Sequence, residues 1–429
     1  MVDFACIYEQ FDPAVPLGPG DSTYVDWQKE VPGITDVKRQ LANSILLTPN
    51  MHVHRLFTGH RGGGKTTELK RVAEYLRTRP IGSRYFVSFL DAEDTINLDD
   101  ADATDLVIAI VRQLVTDLRA EGIDPPAGPK LKGFIESVRE MFKGIPDSGV
   151  DLKAGDPWGI VQLSTSLKRQ PSLRRQVRAL LEGRLSSLYD GINEELLPGI
   201  VDKLQAKGYH GVAVIVDQLD RVPADGDRHH KLFFEGRGKL KALRCNIIYT
   251  APIEYAYSQA LPMLENEYNA LLGLPLLPVS AMQEDVSREA RSCVRSVIDE
   301  RLAACGTIAG DVFDDLAAID ELVALSGGHL RTLFLLMRTV IETSDLVAPL
   351  SADHVHRVAA ELAEKYLDPL EPAQRAVVRE VHDSQDKPPD DARLDTFYEL
   401  LRNQYVFAYA VANKRWYDWN PMLGRSSLA

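Results

Sequence analysis

The residues best suited to chemistry lie in one glycine-rich stretch, LFTGHRGGGKTTEL, at Leu56–Leu69. Within it, Gly59–Thr66 fits the pattern G-x-x-x-x-G-K-[ST] without a mismatch. Backbone N–H groups of such a loop, together with the positive end of a following helix, form an anion site, and glycines let phosphate oxygens approach closely. Lys65 is expected to reach the β- and γ-phosphates, and the Thr66 hydroxyl is expected to bind Mg²⁺. The stretch therefore predicts binding of a nucleoside triphosphate with Mg²⁺.

Apolar residues on both sides of the loop predict the elements that hold it. Val53, Leu56 and Phe57 indicate a short buried strand before the loop, and Thr67–Leu76 has the pattern of an amphipathic helix after it. Strand, glycine loop and helix is the order that this motif requires. The loop residues predicted to contact nucleotide are Gly59, His60, Arg61, Gly62, Gly63, Gly64, Lys65, Thr66 and Thr67.

A second candidate for metal chemistry follows the apolar run Gly211–Val216, which indicates a central parallel strand. The strand ends in DQLDR at Asp217–Arg221, a Walker B element. Asp217 is predicted to hold Mg²⁺ through water. The next residue is Gln218, whose amide can orient water but is a poor general base, so Asp220 is the remaining acid. Hydrolysis is therefore expected to be slow or to depend on assembly.

Another acidic segment, Asp91–Asp94, follows the predicted strand Tyr85–Leu90. Acids at the carboxyl end of a strand face the ligand crevice of an open α/β sheet, so they could hold water near Mg²⁺; a solvated turn is the favoured alternative. A helix is predicted at Thr104–Arg119, with Thr104 as its N-cap.

Composition limits the class of protein. A chain of 429 residues with 45% hydrophobic and 26% charged residues has the length and balance of a soluble protein with two or three domains. No 18-residue apolar run and no N-terminal signal is present, so no membrane partner is expected. The four cysteines contain no Cys-x-x-Cys pair, so neither a zinc site nor a disulfide framework is expected and a reducing cytoplasm fits. The net charge of −13 argues against general coating of nucleic acid, although a local basic surface stays open.

One local basic segment does occur, near an irregular, Pro- and Gly-rich insertion that begins at residue 121. Gln170–Leu204 is predicted to be mainly helical. The basic residues are Lys168, Arg169, Arg174, Arg175, Arg178 and Arg184. They indicate either a solvated helix face or a contact for a partner, for nucleic acid or for a neighbouring subunit's nucleotide.

The DQLDR strand end and the phosphate loop together resemble the STAND and origin-recognition-type branches of the AAA+ and related P-loop ATPases. The resemblance implies that Thr250, which ends the apolar strand Cys245–Thr250, is a sensor-1 residue touching the γ-phosphate or the attacking water. A hydroxyl that only caps the strand is the alternative. The run GGHLR at Gly327–Arg331 resembles the sensor-2 motif, in which Arg331 opens a lid helix and points at the γ-phosphate. A solvent-facing arginine is the alternative there.

The same resemblance implies that an arginine reaches into the site of a neighbouring subunit in a homo-oligomer. Arg237, Arg244 and Arg221 are all candidates, and the sequence does not choose among them. The segment before the first strand covers adenine in many such ATPases, so Tyr24 and Val25 are candidates for that role, with plain packing as the alternative.

The predicted fold is an α/β, parallel-sheet P-loop NTPase core of AAA+ type with a helical lid and a C-terminal winged-helix domain. The predicted boundaries are 1–50 for a segment covering the nucleotide, 51–280 for the core with a helical insertion at about 121–208, 281–368 for the lid and 369–429 for the winged helix. Lid helices are predicted at Ser287–Ala304, Asp311–Ser326, Leu330–Thr343 and Ser351–Tyr366. The last domain carries 9 acidic and 8 basic residues from 371 onward, so its charge does not support DNA binding.

Three functions are consistent with these patterns. The first is a Mg-ATP-binding switch ATPase that couples nucleotide state to conformation or oligomerisation and regulates a protein effector; the resemblance implies a bacterial defence or conflict system as its setting. The second is a DNA-binding AAA+ loader or transposition-type ATPase. The third is a nucleotide-binding scaffold with little hydrolysis, because Gln218 replaces the usual acid or glycine.

Overall fold

The chain forms two compact units. The computed structural model describes residues 2–126, 128–143, 168, 174–175, 178–179, 182–224, 228–280, 283–412 and 414–428. The first unit comprises Met1–Gln40, Gly59–Arg71 and Gly273–Ala429, and the second comprises Leu41–Thr58 and Val72–Leu272. The phosphate loop thus belongs to the first unit and most of the sheet to the second.

A five-stranded sheet organises the second unit, in the order β2-β3-β4-β1-β5. Its strands are β1 (His54–Gly59), β2 (Arg84–Asp91), β3 (Tyr209–Asp217), β4 (Asn246–Thr250) and β5 (Leu271–Leu274). The pairs β2–β3, β3–β4 and β1–β4 are parallel. Most residues of β1 to β4 are buried, as expected for a parallel sheet covered on both faces. The predicted α/β class with a parallel P-loop core is confirmed.

Helix α6, at Ala103–Ala120, packs on this sheet with most of its residues buried. Its N-cap is Asp102, whose carboxylate accepts a hydrogen bond of 2.7 Å from the Thr104 amide. The prediction of Thr104 as the cap was therefore wrong, because the helix begins one residue earlier and the carboxylate is the stronger acceptor. Further α-helices in the described part of this unit are α5 (Ala92–Thr95), α7 (Pro129–Lys143), α8 (Leu185–Gly191), α9 (Leu197–Ala206), α10 (Arg228–His230), α11 (Arg237–Lys241) and α12 (Leu261–Tyr268).

Two arginines of the basic segment, Arg174 and Arg178, form ion pairs with acids near the start of α6. Arg174 is only 2% exposed and lies 3.0 Å from the Asp100 carboxylate. Arg178 pairs with Asp100 at 2.9 Å and with Asp105. Burial raises the pKa of Asp105 to about 6, against the opposing effect of Arg178. These two arginines therefore brace the start of α6. Arg175 and Arg184 are exposed, and Arg169 lies outside the described residues.

The first unit contains the N-terminal segment, the phosphate loop, the lid and the C-terminal elements. Its helices are α1 (Phe4–Gln10), α2 (Trp27–Glu30), α13 (Glu284–Ala304), α14 (Ala309–Val312), α15 (Ala317–Ser326), α16 (Leu330–Glu342), α17 (Ala352–Leu367), α18 (Pro372–Ser384) and α19 (Asp391–Arg402). Helix α3 (Val37–Leu46) and helix α4 (Lys65–Arg77) each begin in this unit and continue into the other. The single lid helix predicted at Asp311–Ser326 is instead two helices, α14 and α15.

The chain ends in two helices and an antiparallel hairpin, β6 (Val406–Val411) and β7 (Lys414–Trp419). This is the element order that the winged-helix prediction requires, and the winged-helix identity stays a prediction. Phe407 and Tyr409 of β6 form a small buried cluster with Leu276.

A disulfide joins Cys6 of α1 to Cys305 at the end of α13. The expectation that the cysteines form no disulfide was therefore wrong, because the absence of a Cys-x-x-Cys pair says nothing about cysteines that are 299 residues apart. Within the described residues, no helix combines the length and the apolar character needed to cross a bilayer.

Candidate functional site

The phosphate loop leaves β1 at Gly59 and enters α4 at Lys65. The backbone takes positive φ at Gly62 (81°) and Gly64 (98°), a conformation that glycine adopts without the penalty of a Cβ. This backbone path, followed at once by a helix of 13 residues, is the arrangement in which amide groups and a helix N-terminus form an anion site.

Lys65 is held against the loop that precedes it. Its side chain is 7% exposed, and its Nζ donates to the carbonyl oxygens of Gly59 at 2.8 Å and His60 at 3.0 Å. Both carbonyls belong to the loop, so the ammonium group lies against it, and the phosphate-binding role of Lys65 stays a prediction. The neighbouring residue Thr66, the predicted Mg²⁺ ligand, is half-buried in the first turn of α4.

The lid contacts the loop directly at the predicted sensor-2 residue. The Arg331 amide donates to the Gly62 carbonyl at 3.3 Å. A Cβ added to Gly62 would lie 2.5 Å from the Arg331 Cβ and 2.6 Å from its Nε, so the arginine packs into the space that this glycine leaves. The structure thus brings Arg331 and the phosphate loop together; the γ-phosphate role of Arg331 stays a prediction.

Two buried histidines accompany this contact. His329 Nε2 donates to the Arg61 carbonyl at 2.7 Å, while its Nδ1 accepts from the Thr332 hydroxyl at 2.8 Å. Burial, with Arg331 and Lys65 nearby, lowers the pKa of His329 to about 3 despite the bond to Arg61. Burial also holds the pKa of His60 well below its usual value, reinforced by His329 and Lys65. Both imidazoles are therefore neutral at pH 7.

The C-terminal elements also reach the loop, which the sequence did not indicate. The Ala408 amide of β6 donates to His60 Nε2 at 3.0 Å, and Gln404 Nε2 donates to the Arg61 carbonyl at 3.0 Å. These partners are separated by 348 and 343 residues. No local pattern marks such a contact, although His60 and Arg61 at the variable positions of the motif were among the predicted loop residues.

Tyr24 packs against the start of α4. Its hydroxyl donates to Glu68 Oε1 at 2.8 Å, and the Arg71 guanidinium lies 3.8 Å from the ring centroid. Burial, with Glu68 as the next cause, raises the pKa of this phenol, which is therefore neutral. One face of the ring is covered by Arg71, so adenine could stack only on the other; Val25 beside it is half-buried. The adenine role of both residues stays a prediction.

In the second unit, Asp217 and Thr250 end neighbouring strands. Asp217 is 1% exposed, and its Oδ1 accepts from the Gln218 amide at 2.8 Å. Gln218 itself has a left-handed backbone, with φ 67° and ψ 10°. The Thr250 hydroxyl accepts from the Leu219 amide at 2.9 Å and contacts the Val216 carbonyl at 3.4 Å. Thr250 therefore braces the turn that follows Asp217; its sensor-1 role stays a prediction.

The acids near this sheet edge are engaged in local structure. Asp91, in register with Asp217, caps α5 by accepting from the Glu93 and Asp94 amides at 2.9 and 3.3 Å. Burial raises the pKa of Asp91, as do the charges of Asp94 and Glu93. These contacts favour a structural turn at Asp91–Asp94. Asp220, the remaining candidate acid, is 5% exposed.

The three candidate arginine fingers have different surroundings. Arg221 pairs with Glu93. Arg237 donates to the Phe234 carbonyl and lies 3.5 Å from Glu267. Arg244 is exposed. Exposure makes Arg244 the most accessible of the three to a neighbouring subunit.

The donor chemistry at Thr66 and Asp217 fits Mg²⁺, because a hydroxyl and a carboxylate are oxygen ligands of the kind that this ion prefers. A Mg²⁺ ion bound with a nucleoside triphosphate would neutralise charge on the β- and γ-phosphates. Thr66 lies in the first unit and Asp217 in the second, and each remains a predicted ligand.

Comparisons with known proteins give only distant likenesses. No family model and no curated protein matches the chain. Among solved structures, a Walker-type ATPase of Pyrococcus abyssi is 16% identical with a TM-score of 0.45, covering 96% of this chain and 98% of its own. The Aeropyrum pernix ORC2 protein is 14% identical with a TM-score of 0.37, covering 94% of each chain. Drosophila ORC bound to DNA is 13% identical with a TM-score of 0.41, covering 98% of this chain and 91% of its own. At such identities and scores, neither family nor function transfers to this chain.

Proposed function

We propose that this protein is a Mg-ATP-binding switch ATPase, in which the terminal phosphate sets the position of the lid. The observation that carries the proposal is the contact of the phosphate loop with Arg331, through the Gly62 carbonyl and the space above Gly62. A positive side chain on a separate helical element, held at the loop, is suited to report whether a γ-phosphate is present.

ATP and ADP are the proposed ligands, with Lys65 as the phosphate-binding charge and Thr66 and Asp217 as the magnesium ligands. Arg331 is proposed as the γ-phosphate sensor, and Tyr24 as a neighbour of the base. We further propose that nucleotide-dependent assembly of the chain, through an arginine such as Arg244, regulates a protein effector. Pairing of Arg174 and Arg178 with acids takes these two arginines out of the basic surface on which the DNA-binding alternative relies, while Arg175 and Arg184 stay exposed.

A nucleotide-binding scaffold that hydrolyses ATP only slowly is a second candidate function. Gln218 supports it, because an amide occupies the position after Asp217 and adopts a left-handed backbone. A carboxylate at this position would be the better base. Gln218→Glu should therefore raise steady-state phosphate release if the base is limiting. Equal release by both proteins would contradict this account of slow turnover.

The binding test uses the full chain, Mg²⁺ and both nucleotides in a calorimetric titration. Lys65→Ala should weaken binding by about 1.5–3 kcal/mol for each charge-assisted hydrogen bond to phosphate that the lysine makes, which is roughly 10- to 150-fold. Lys70→Ala is the matched control, since Lys70 lies one turn further along the same helix and is half-buried. Similar affinity in the wild type and Lys65→Ala would refute the assignment of the phosphate loop.

A further inference from the structure

The carbonyl side of the phosphate loop is covered by hydrogen bonds. The Nζ atom of Lys65 donates hydrogen bonds to the carbonyl oxygens of Gly59 and His60. Arg61 accepts two bonds at its carbonyl, 2.7 Å from His329 Nε2 and 3.0 Å from Gln404 Nε2. Because a phosphate-binding loop uses its N–H groups for the ligand, partners on the carbonyl side orient those N–H groups without competing for phosphate.

The His60 side chain forms a second connection on this side of the loop. Its Nε2 accepts from the Ala408 amide at 3.0 Å, which requires the neutral ring with the proton on Nδ1. The lowered pKa of His60 agrees with this state. The ring also meets Phe407 edge-to-face, with centroids 5.4 Å apart. His60, Phe407 and Ala408 are each no more than 2% exposed, so water does not compete for this hydrogen bond.

The same hairpin strand also holds the lid turn that precedes Arg331. The Tyr409 hydroxyl donates to the Gly327 carbonyl at 2.8 Å. Gly327 has φ of 59°, and an added Cβ would lie 2.9 Å from the Tyr409 oxygen. Two neighbouring residues of strand β6, Ala408 and Tyr409, therefore bind the loop and the lid respectively.

We propose that Gln404 and strand β6 are positioning elements of the phosphate loop, so that nucleotide binding and seating of the C-terminal hairpin favour each other. This rests on the proposed function. Linkage requires reciprocity: contacts that order the loop raise affinity for phosphate, and bound nucleotide stabilises the hairpin contact by the same factor. Gln404 and Ala408 contact the Arg61 carbonyl and the His60 ring, which hold the loop that both nucleotides would use, so ATP and ADP should be affected equally. Equal effects distinguish this role from that of Arg331.

The test measures affinity of the full chain for ADP and for a non-hydrolysable ATP analogue. Gln404→Ala should weaken both by roughly 2- to 13-fold, the net effect expected for one hydrogen bond to a half-buried carbonyl. Asn403→Ala is the matched control, because Asn403 is exposed and directly precedes Gln404. At the second contact, His60→Phe keeps a ring without an acceptor and should weaken both nucleotides, whereas His60→Gln supplies an acceptor oxygen and should restore part of the affinity.

The reciprocal measurement is hydrogen exchange of the Ala408 amide, which nucleotide should slow in the wild type but not in His60→Phe. Circular dichroism checks that each variant is folded, and Gln404 is only half-buried, so its truncation leaves the core intact. Affinities of Gln404→Ala and His60→Phe within twofold of Asn403→Ala would overturn the inference and leave the proposed function standing. A wild-type chain that binds neither nucleotide would overturn the proposed function itself.

Discussion

The three consecutive glycines of the phosphate loop should respond unequally to alanine. Gly62 has φ of 81°, and its added Cβ would lie 2.5 Å from the Arg331 Cβ, an atom fixed to the backbone of α16. Left-handed backbone costs about 1–2 kcal/mol for a residue with a Cβ, and overpacking costs typically about 1–3 kcal/mol. The alanine also lowers the conformational entropy of the unfolded chain, which offsets about 0.4–1 kcal/mol of this destabilisation. Gly62→Ala should therefore destabilise the folded protein by roughly 2–4 kcal/mol.

Gly64 and Gly63 are matched controls within the same run. Gly64 has φ of 98°, but an added Cβ would meet only Leu330 Cδ1, at 3.8 Å. Strain alone predicts a net destabilisation of about 1 kcal/mol for Gly64→Ala. Gly63 is not among the positive-φ glycines, and its added Cβ would lie 3.2 Å from the His60 carbonyl, so the smallest destabilisation is expected there.

The assay is urea unfolding of the three variants without nucleotide, so that an alanine methyl group cannot act by blocking phosphate. The expected order of destabilisation is Gly62→Ala, then Gly64→Ala, then Gly63→Ala. Equal midpoints for Gly62→Ala and Gly63→Ala would refute the contact between the loop and Arg331 on which the proposed switch depends.

Three further predictions concern the lid and the cysteines. Arg331→Ala should leave ADP affinity within about twofold while abolishing any ATP-specific change in protease sensitivity of the lid; equal weakening of both nucleotides would contradict a γ-phosphate sensor. The depressed pKa of His329 means that the unfolded chain takes up a proton below pH 6.5 that the folded chain takes up only near pH 3, so stability falls as pH falls through this window. Between pH 6.5 and pH 5, titration of His329 should lower the free energy of unfolding by about 2 kcal/mol. Urea unfolding of His329→Gln should lack this loss, and the same pH dependence in both proteins would contradict the buried neutral ring. Alkylation of the unfolded chain without reductant should label Cys245 and Cys293 and spare Cys6 and Cys305, and labelling of all four would contradict the disulfide.

Local sequence patterns predicted the fold and the loop well. The phosphate loop is a continuous motif, and the apolar runs of β3 and β4 indicate buried parallel strands, so both could be read from neighbouring residues. The cap of α6 was placed at Thr104 rather than Asp102, because two candidate acceptors lie within three residues and only geometry chooses.

Long-range contacts could not be read in this way. The bonds from Ala408 to His60 and from Gln404 to Arg61 join residues more than 340 positions apart, and no spacing rule connects them. The basic stretch illustrates the same limit, since Arg174 and Arg178 face acids at the start of α6, about 70 residues earlier, instead of solvent. Charge count alone does not show where a side chain finds its partner.

Hydrogen–deuterium exchange of the full chain, with Mg²⁺ and either ADP or a non-hydrolysable ATP analogue, tests the central claim most directly. Both nucleotides should slow exchange of the loop amides at Gly59–Thr66, and only the triphosphate should change exchange in the first turn of α16, where the Arg331 amide binds the Gly62 carbonyl. Two results would contradict the claim that the lid responds to phosphate bound at the loop. One is that neither nucleotide changes exchange of the loop amides, and the other is that exchange of α16 is the same with ADP and with the ATP analogue.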